Sequence, residues 1–98
     1  MATDNYRVIW NRDGAEIEVG SIGVQTGAGM RRFWHWGLDA IGQFGFATSG
    51  DIDGEQQRDA CVVAFRTAWE RFASDPERLA AFASEKLASA DPLKRPAG

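Results

Sequence analysis

The sequence is poor in several features that whole classes of protein require. Cys61 is the only cysteine, which excludes an internal disulfide and a zinc site made of four cysteines within the chain. The first lysine is Lys86, so a G-x-x-x-x-G-K-[ST] phosphate-binding loop is absent. No apolar run approaches the roughly 20 residues of a membrane-spanning helix, and the N-terminus does not resemble a secretory signal. We therefore expect a cytoplasmic protein that does not contact membranes.

The sequence also lacks the basic excess that binding to polyanions normally requires. It holds 14 acidic residues against 11 Lys and Arg, for a net charge of −3, which argues against a general nucleic-acid binder. The acidic excess is concentrated in residues 37–60, where Arg58 is the only Lys or Arg. The length of 98 residues and the apolar content of 44% are typical of one globular domain. We predict a single domain over residues 1–90 and a flexible tail over residues 91–98.

The first part of the chain has the pattern of β-strands joined by turns. Residues 6–10 are β-branched and aromatic, and the Asn, Asp and Gly of residues 11–14 indicate a turn. A second strand follows over residues 16–24, where the apolar positions change phase beside Gly20 and Ser21. A phase change next to glycine predicts a β-bulge, which inserts one residue and restores the facing of the side chains.

A third and a fourth strand are predicted further along. Residues 32–38 alternate so that Trp34 and Trp36 lie on one face and Phe33 and His35 on the other. A short fourth strand is expected over residues 44–47, before the Ser, Gly and Asp that follow break the chain. The strands should form an antiparallel meander.

The second half of the chain is predicted to be helical. Apolar residues recur with a period of 3.6 at Cys61, Ala64, Phe65, Ala68, Trp69 and Phe72. Asp53 and Gln56 have the spacing of a capping box, and the neighbouring acids suit the positive end of a helix. Ser74 and Glu77 have the same spacing, so a second helix is expected to begin at Ser74.

These elements predict an α+β domain, in which a three- to four-stranded antiparallel meander packs on one long helix and a C-terminal helix follows. The predicted core joins the aromatic sheet face to the helix stripe and contains Trp34, Trp36, Cys61, Phe65, Trp69 and Phe72. The opposite sheet face is too apolar to stay uncovered. The last helix, a second copy of the chain or a ligand are the three alternatives for covering it.

No arrangement of residues in the sequence predicts catalysis, a metal site or a cofactor. Cys61 lies on the apolar helix stripe, where a thiol is usually a small buried hydrophobe, and His35 is the only other residue with which it could form a reactive pair. The acids from Asp51 onward do not match a calcium-binding loop, because Gln56 stands where that loop needs glycine. We therefore expect a protein that is not an enzyme.

Two functions remain open. The first is a protein-interaction or self-association module, with a homodimer or another protein as the partner, because the second sheet face has apolar surface to bury. The alternative is nucleic-acid binding, because sheets that present arginine and aromatic side chains can contact phosphates and stack bases. The predicted binding residues are the same for both and comprise Arg7, Ile9, Arg31, Arg32, Phe33 and His35.

Four short patterns occur in order between residues 17 and 72. They are G-x-I from Gly20, W-x-W from Trp34, G-x-A from Gly45 and F-x-x-x-W from Phe65. In this order they resemble a group of short uncharacterised bacterial proteins, from which this chain departs at Cys61, where alanine is common, and in its final helix. The resemblance implies a small sheet-plus-helix domain and assigns no catalytic residue.

Overall fold

The computed structural model describes residues 5–40, 42–54 and 56–90. Its elements in chain order are β1 (Asn5–Arg12), β2 (Ala15–Thr26), a 3-10 turn (Ala28–Met30), β3 (Arg32–Leu38), β4 (Ser49–Asp53), α1 (Arg58–Ala73) and α2 (Pro76–Ala90). The strands form one antiparallel sheet in the order β1-β2-β3-β4. The predicted α+β architecture of a meander, a long helix packed on it and a C-terminal helix is confirmed. The predicted tail at 91–98 lies outside the described residues.

The turn between β1 and β2 forms where the sequence predicts it. Asp13 and Gly14 are its two central residues, and their φ angles are 51° and 85°. Positive φ at both positions is typical of the type I′ turn, whose twist matches that of the strands it joins. Glycine adopts this conformation without steric cost, and aspartate tolerates it better than most residues.

A β-bulge occurs in β2 beside Gly20, as predicted. The pairing of β1 with β2 skips Val19, which is therefore the extra residue. Val19 and Gly20 are consecutive and both buried. The bulge brings Ile17 and Ile22 onto one buried face although their positions are out of phase along the strand.

The fourth strand is not at residues 44–47, where the sequence predicted it. It is β4, which pairs with β3 so that Gly50 lies opposite Trp36 and Asp51 opposite His35. A Cβ atom on Gly50 would lie 3.0 Å from the indole Nε1 of Trp36, so glycine leaves room for the ring. Because Gly and Asp are depleted in strands, the prediction was wrong at this segment.

Phe44 and Phe46, which were expected in that strand, pack on the C-terminal end of α1 instead. The Phe44 ring meets the ring of buried Phe72 edge-on, with centroids 5.3 Å apart. The guanidinium of Arg78 lies over both rings, 5.3 Å from the Phe44 centroid and 5.6 Å from the Phe46 centroid. These contacts bury aromatic surface without a strand.

The core lies between the sheet and α1, as predicted. Trp34, Trp36, Cys61, Phe65 and Phe72 are all buried. The sixth predicted core residue is half-buried: Trp69 packs on the edge of the core, with its ring 5.1 Å from that of Trp10.

The N-cap of each helix lies later in the chain than predicted, by four residues in α1 and by one residue in α2. The N-cap of α1 is Gln57, whose side chain makes no capping bond, because Asp53 is the last residue of β4. The predicted capping box is therefore wrong. At α2, Asp75 accepts hydrogen bonds from the backbone N–H groups of Glu77 and Arg78, at 3.1 and 3.2 Å. Asp75, not Ser74, caps this helix, and Pro76 occupies its first turn.

The second helix packs beside α1 and not on the opposite sheet face. Phe82 is buried against Phe72, with ring centroids 5.2 Å apart. Lys86 reaches the Asp39 carboxylate at 2.6 Å. On the opposite sheet face, Ile9 is 48% exposed, so α2 is not the element that covers this face. No helix in the described part of the chain is long and apolar enough to span a membrane.

Candidate functional site

The predicted binding residues do not form one contiguous surface. Arg7 and Ile9 belong to β1, and Phe33 and His35 belong to β3; the register places all four on the sheet face opposite α1. The whole of β2 separates the two pairs, so they are two strand spacings, roughly 10 Å, apart. Arg32 begins β3 and pairs with Thr26.

Carboxylates neutralise the basic residues of this face. Arg7 bonds Glu18 at 3.3 Å and Asp39 at 2.6 Å. Arg31 pairs with Asp53 at 3.1 Å. These acids come from three other segments of the chain, so the sequence did not reveal the pairing. Because counterion release from phosphates needs available positive charge, the face is poorly suited to nucleic acid.

His35 forms a close pair with Asp51 on the same face. Its Nδ1 lies 2.6 Å from an Asp51 carboxylate oxygen, and the imidazole is 36% exposed. Cys61 is fully buried on the other side of the sheet, among the residues of α1. The sheet therefore separates the only cysteine from the only histidine, and they form no nucleophilic pair. No group of three or more metal-ligating side chains occurs within the described ranges.

Asp39 joins both ends of the domain. Its carboxylate accepts hydrogen bonds from Arg7 of β1 and Lys86 of α2, each at 2.6 Å, and its backbone N–H donates to the carbonyl of the bulge residue Val19 at 2.9 Å. Partial burial by itself raises the pKa of Asp39, but the two cations outweigh it and lower the pKa below its ordinary value. Asp39 therefore connects β1, the bulge in β2 and α2, and we call this set of contacts the Asp39 junction.

The main concave feature is a groove of about 550 Å³ between β1 and α1. Its lining is mostly apolar and comprises Tyr6, Arg7, Val8, Ile9, Trp10, Val19, Ile22, Arg58, Val62, Phe65, Arg66 and Trp69. Consecutive β1 residues point to opposite faces of the sheet, yet all of residues 6–10 contribute. Because Val19 and Ile22 of β2 and Phe65 of α1 also line it, the groove lies on the α1 side of the sheet, along the edge strand β1.

Three of the six large hydrophobic residues that are exposed in the described part of the chain line this groove. Among the described residues, Tyr6, Ile9 and Val62 are large hydrophobic side chains that are both exposed and part of the groove lining. Tyr6 also stacks on Trp34, with centroids 6.4 Å apart and planes at 15°. Exposed apolar surface gathered in one concavity typically marks a binding site.

The two edges of the sheet differ in how well they are protected against pairing. The β4 edge has five residues and carries Asp51 and Asp53, and a short, charged strand resists the addition of another strand. The β1 edge has eight residues without proline or lysine. Its charged residues are Arg7 and Arg12, and Arg7 is paired with Glu18 and Asp39. Among the described residues no further strand pairs with β1, so β1 is the less protected edge.

This groove was not predicted from the sequence. Arg7 and Ile9 are the only predicted binding residues that line it, and the α1 residues Arg58, Val62 and Arg66 were not singled out. A signal was present: these three share a helical face beside the apolar stripe, at spacings of four residues.

Comparison of the chain with family models, with curated proteins and with solved structures finds no match.

Proposed function

We propose that this protein is a non-enzymatic interaction module that binds another protein by adding an extended segment of it to the edge of β1. The observation that carries the proposal is the apolar groove of about 550 Å³ along that edge. An edge strand offers unpaired main-chain N–H and C=O groups, and an adjoining groove accepts alternate side chains of the added strand.

A separate partner is favoured over a second copy of the chain. Pairing β1 with β1 of another copy would bring the Arg12 residues of the two chains, which have no carboxylate partner among the described residues, onto one short ribbon without an acid. Like charges across strands destabilise a pair. A partner of different sequence avoids this repulsion.

Nucleic-acid binding through the opposite sheet face has less support. Arg7 and Arg31 are already bonded to carboxylates there, and the chain carries a net charge of −3. A polyanion would have to displace these acids before it gained favourable contacts.

The test is selection of random displayed peptides on the immobilised protein, with two α1 variants as a matched pair. Val62 and Val63 are 38% and 65% exposed, but only Val62 lines the groove. We expect the wild type and Val63→Asp to enrich the same peptides and Val62→Asp to enrich none. An aspartate at position 62 replaces the apolar surface of the groove and attracts Arg58 and Arg66, one helical turn away on each side.

Equal enrichment on the two variants, or none on the wild type, would contradict the proposal. Sedimentation velocity at micromolar concentration addresses the second copy. A dimer that Val62→Asp dissociates would show that the groove binds this chain itself, whereas a monomer agrees with a separate partner.

A further inference from the structure

We propose that the strand bound along β1 is acidic and has the pattern acid-x-apolar-x-acid, which is recognised by Arg58, Val62 and Arg66 of α1. The inference rests on the proposed function and specifies the chemistry of the partner. Its basis is the direction of α1, the spacing of these three residues and the sign of the charge along the groove.

Helix α1 packs mainly on β3 and runs in the same direction as β1. Near the start of each element, Tyr6 and Arg58 line the same two concavities. Toward their other ends, the Trp10 and Trp69 rings meet with centroids 5.1 Å apart. A strand added to the β1 edge would therefore run in line with the α1 residues that line the groove on the β1 side.

The spacing along this side of α1 matches that of an extended chain. Arg58, Val62 and Arg66 are each four residues apart and so lie on one helical face. The two arginines are separated by about 12 Å along the helix axis. In a strand, residues i, i+2 and i+4 point to one face and the outer two are about 13 Å apart. Acids at the outer positions would meet the arginines, and an apolar residue between them would meet Val62.

The charged residues that line the groove are all arginines. Arg7 is paired with Glu18 at 3.3 Å and with Asp39 at 2.6 Å. Arg58 is paired with the exposed Asp59, at 3.6 Å, and with no other described carboxylate, so Arg58 and Arg66 are the arginines whose charge a ligand can use. Tyr6 and Asp59 raise the pKa of the Arg58 guanidinium. Arg66 forms no ion pair with a residue in the part of the chain that the structure describes.

This local positive charge contrasts with the net charge of the chain, which is −3. An acidic strand would be attracted to the groove, whereas the β4 edge presents Asp51 and Asp53, whose partners are His35 and Arg31, and so has no comparable attraction for it. The arrangement therefore selects both the edge and the sign of the partner.

The test uses two capped seven-residue peptides labelled with a fluorophore. One has glutamate at its second and sixth positions, valine at its fourth and threonine elsewhere, and the other has glutamine in place of both glutamates. Fluorescence anisotropy with the full chain should show binding of the glutamate peptide at least about tenfold tighter than of the glutamine peptide, with a difference that shrinks as salt is added.

A matched pair of arginine variants locates the contact. Arg66→Gln should weaken binding of the glutamate peptide about fivefold. Arg31→Gln should leave it unchanged, because Arg31 pairs with Asp53 away from the groove. Both arginines are exposed, and circular dichroism verifies that each variant is folded.

The failures of the two proposals are distinguishable. If both peptides bind equally and Val62→Asp abolishes both, the groove binds strands without reading charge, and this inference is wrong while the proposed function stands. If an oligothymidine displaces the glutamate peptide and loses affinity with Arg66→Gln, the groove recognises phosphates and the acidic-strand inference is overturned. If no peptide, displayed or synthetic, binds at Val62, both proposals fail.

Discussion

The ring of Phe65 lies directly on the backbone of Gly20. A Cβ atom at position 20 would overlap the edge of this ring and the carbonyl oxygen of Gly37. The close approach lets α1 settle on the sheet at the bulge in β2. It also joins the first and the last of the four short sequence patterns, since Gly20 opens G-x-I and Phe65 opens F-x-x-x-W.

Gly20→Ala should therefore destabilise the fold by at least about 2 kcal/mol, because neither a backbone oxygen nor a packed ring can easily yield. Gly37→Ala is the matched control in the same sheet: its Cβ would meet Ser49 Cβ at an ordinary 3.5 Å. Urea unfolding of both variants measures the difference. A Gly20→Ala protein as stable as the control would show that α1 does not approach the sheet this closely.

Sequence periodicity was sufficient for the elements whose side chains pack locally. The stripe from Cys61 to Phe72 predicted α1 and its buried face, and the phase change beside Gly20 predicted the bulge. It was insufficient for β4, because Gly50 is favourable there only when Trp36 of the neighbouring strand lies over it. The strand propensity of a residue and its neighbours in the chain does not reflect a contact with another strand.

The candidate site was only partly predictable for the same reason. Alternation along β1 and β3 placed Arg7, Ile9, Phe33 and His35 on the correct face. The acids that neutralise that face become neighbours only through sheet register. The groove depends on which strand is left at the edge and on how α1 lies beside it, and neither is encoded in a local pattern.

Trp69→Ala should lower the free energy of unfolding by about 3 kcal/mol. The ring lies between aromatic neighbours, 5.8 Å from Phe72 and 6.0 Å from Phe82, so its loss opens the contact between α1 and α2. Val63→Ala, at an exposed site on the same helix, should change stability by less than about 0.5 kcal/mol. Similar denaturation midpoints for the two variants would contradict this placement of Trp69.

Asp39→Asn should cost about 1–2 kcal/mol at neutral pH, because Arg7 and Lys86 lose a charged acceptor. The pKa of Asp39 is lowered in the folded state from its ordinary 3.8, so its ionised form stabilises the fold above that pH. The contribution disappears as pH falls through the folded pKa. Urea titrations at pH 7 and at about pH 3 should show the wild-type advantage shrinking with acidification; a constant difference would contradict the ion-pair origin.

Cys61 should be unreactive in the native protein. Its side chain is fully buried, and burial, followed by the field of Asp51, raises the pKa of the thiol. Reaction with a thiol reagent at mildly alkaline pH should be at least about a hundredfold slower than in urea, where the chain is open. Rapid labelling without denaturant would show that α1 does not shield this residue.

Asp75→Ala should destabilise the protein by about 1 kcal/mol through loss of the α2 cap. Ser74→Ala should cost less than half of that, because the Ser74 hydroxyl donates to the last turn of α1, to the carbonyl of Arg71 at 2.6 Å. Thermal unfolding followed by circular dichroism distinguishes them. The reverse ranking would place the start of α2 at Ser74.

The order β1-β2-β3-β4 has a consequence for the route by which the chain assembles. Every strand pairs with its neighbour along the chain, so the sheet can form through short loop closures, which favour rapid folding. The Asp39 junction instead joins residues 32 and 47 positions away. We expect this junction to form late in folding, after the meander, and to hold α2 against the sheet that has already formed.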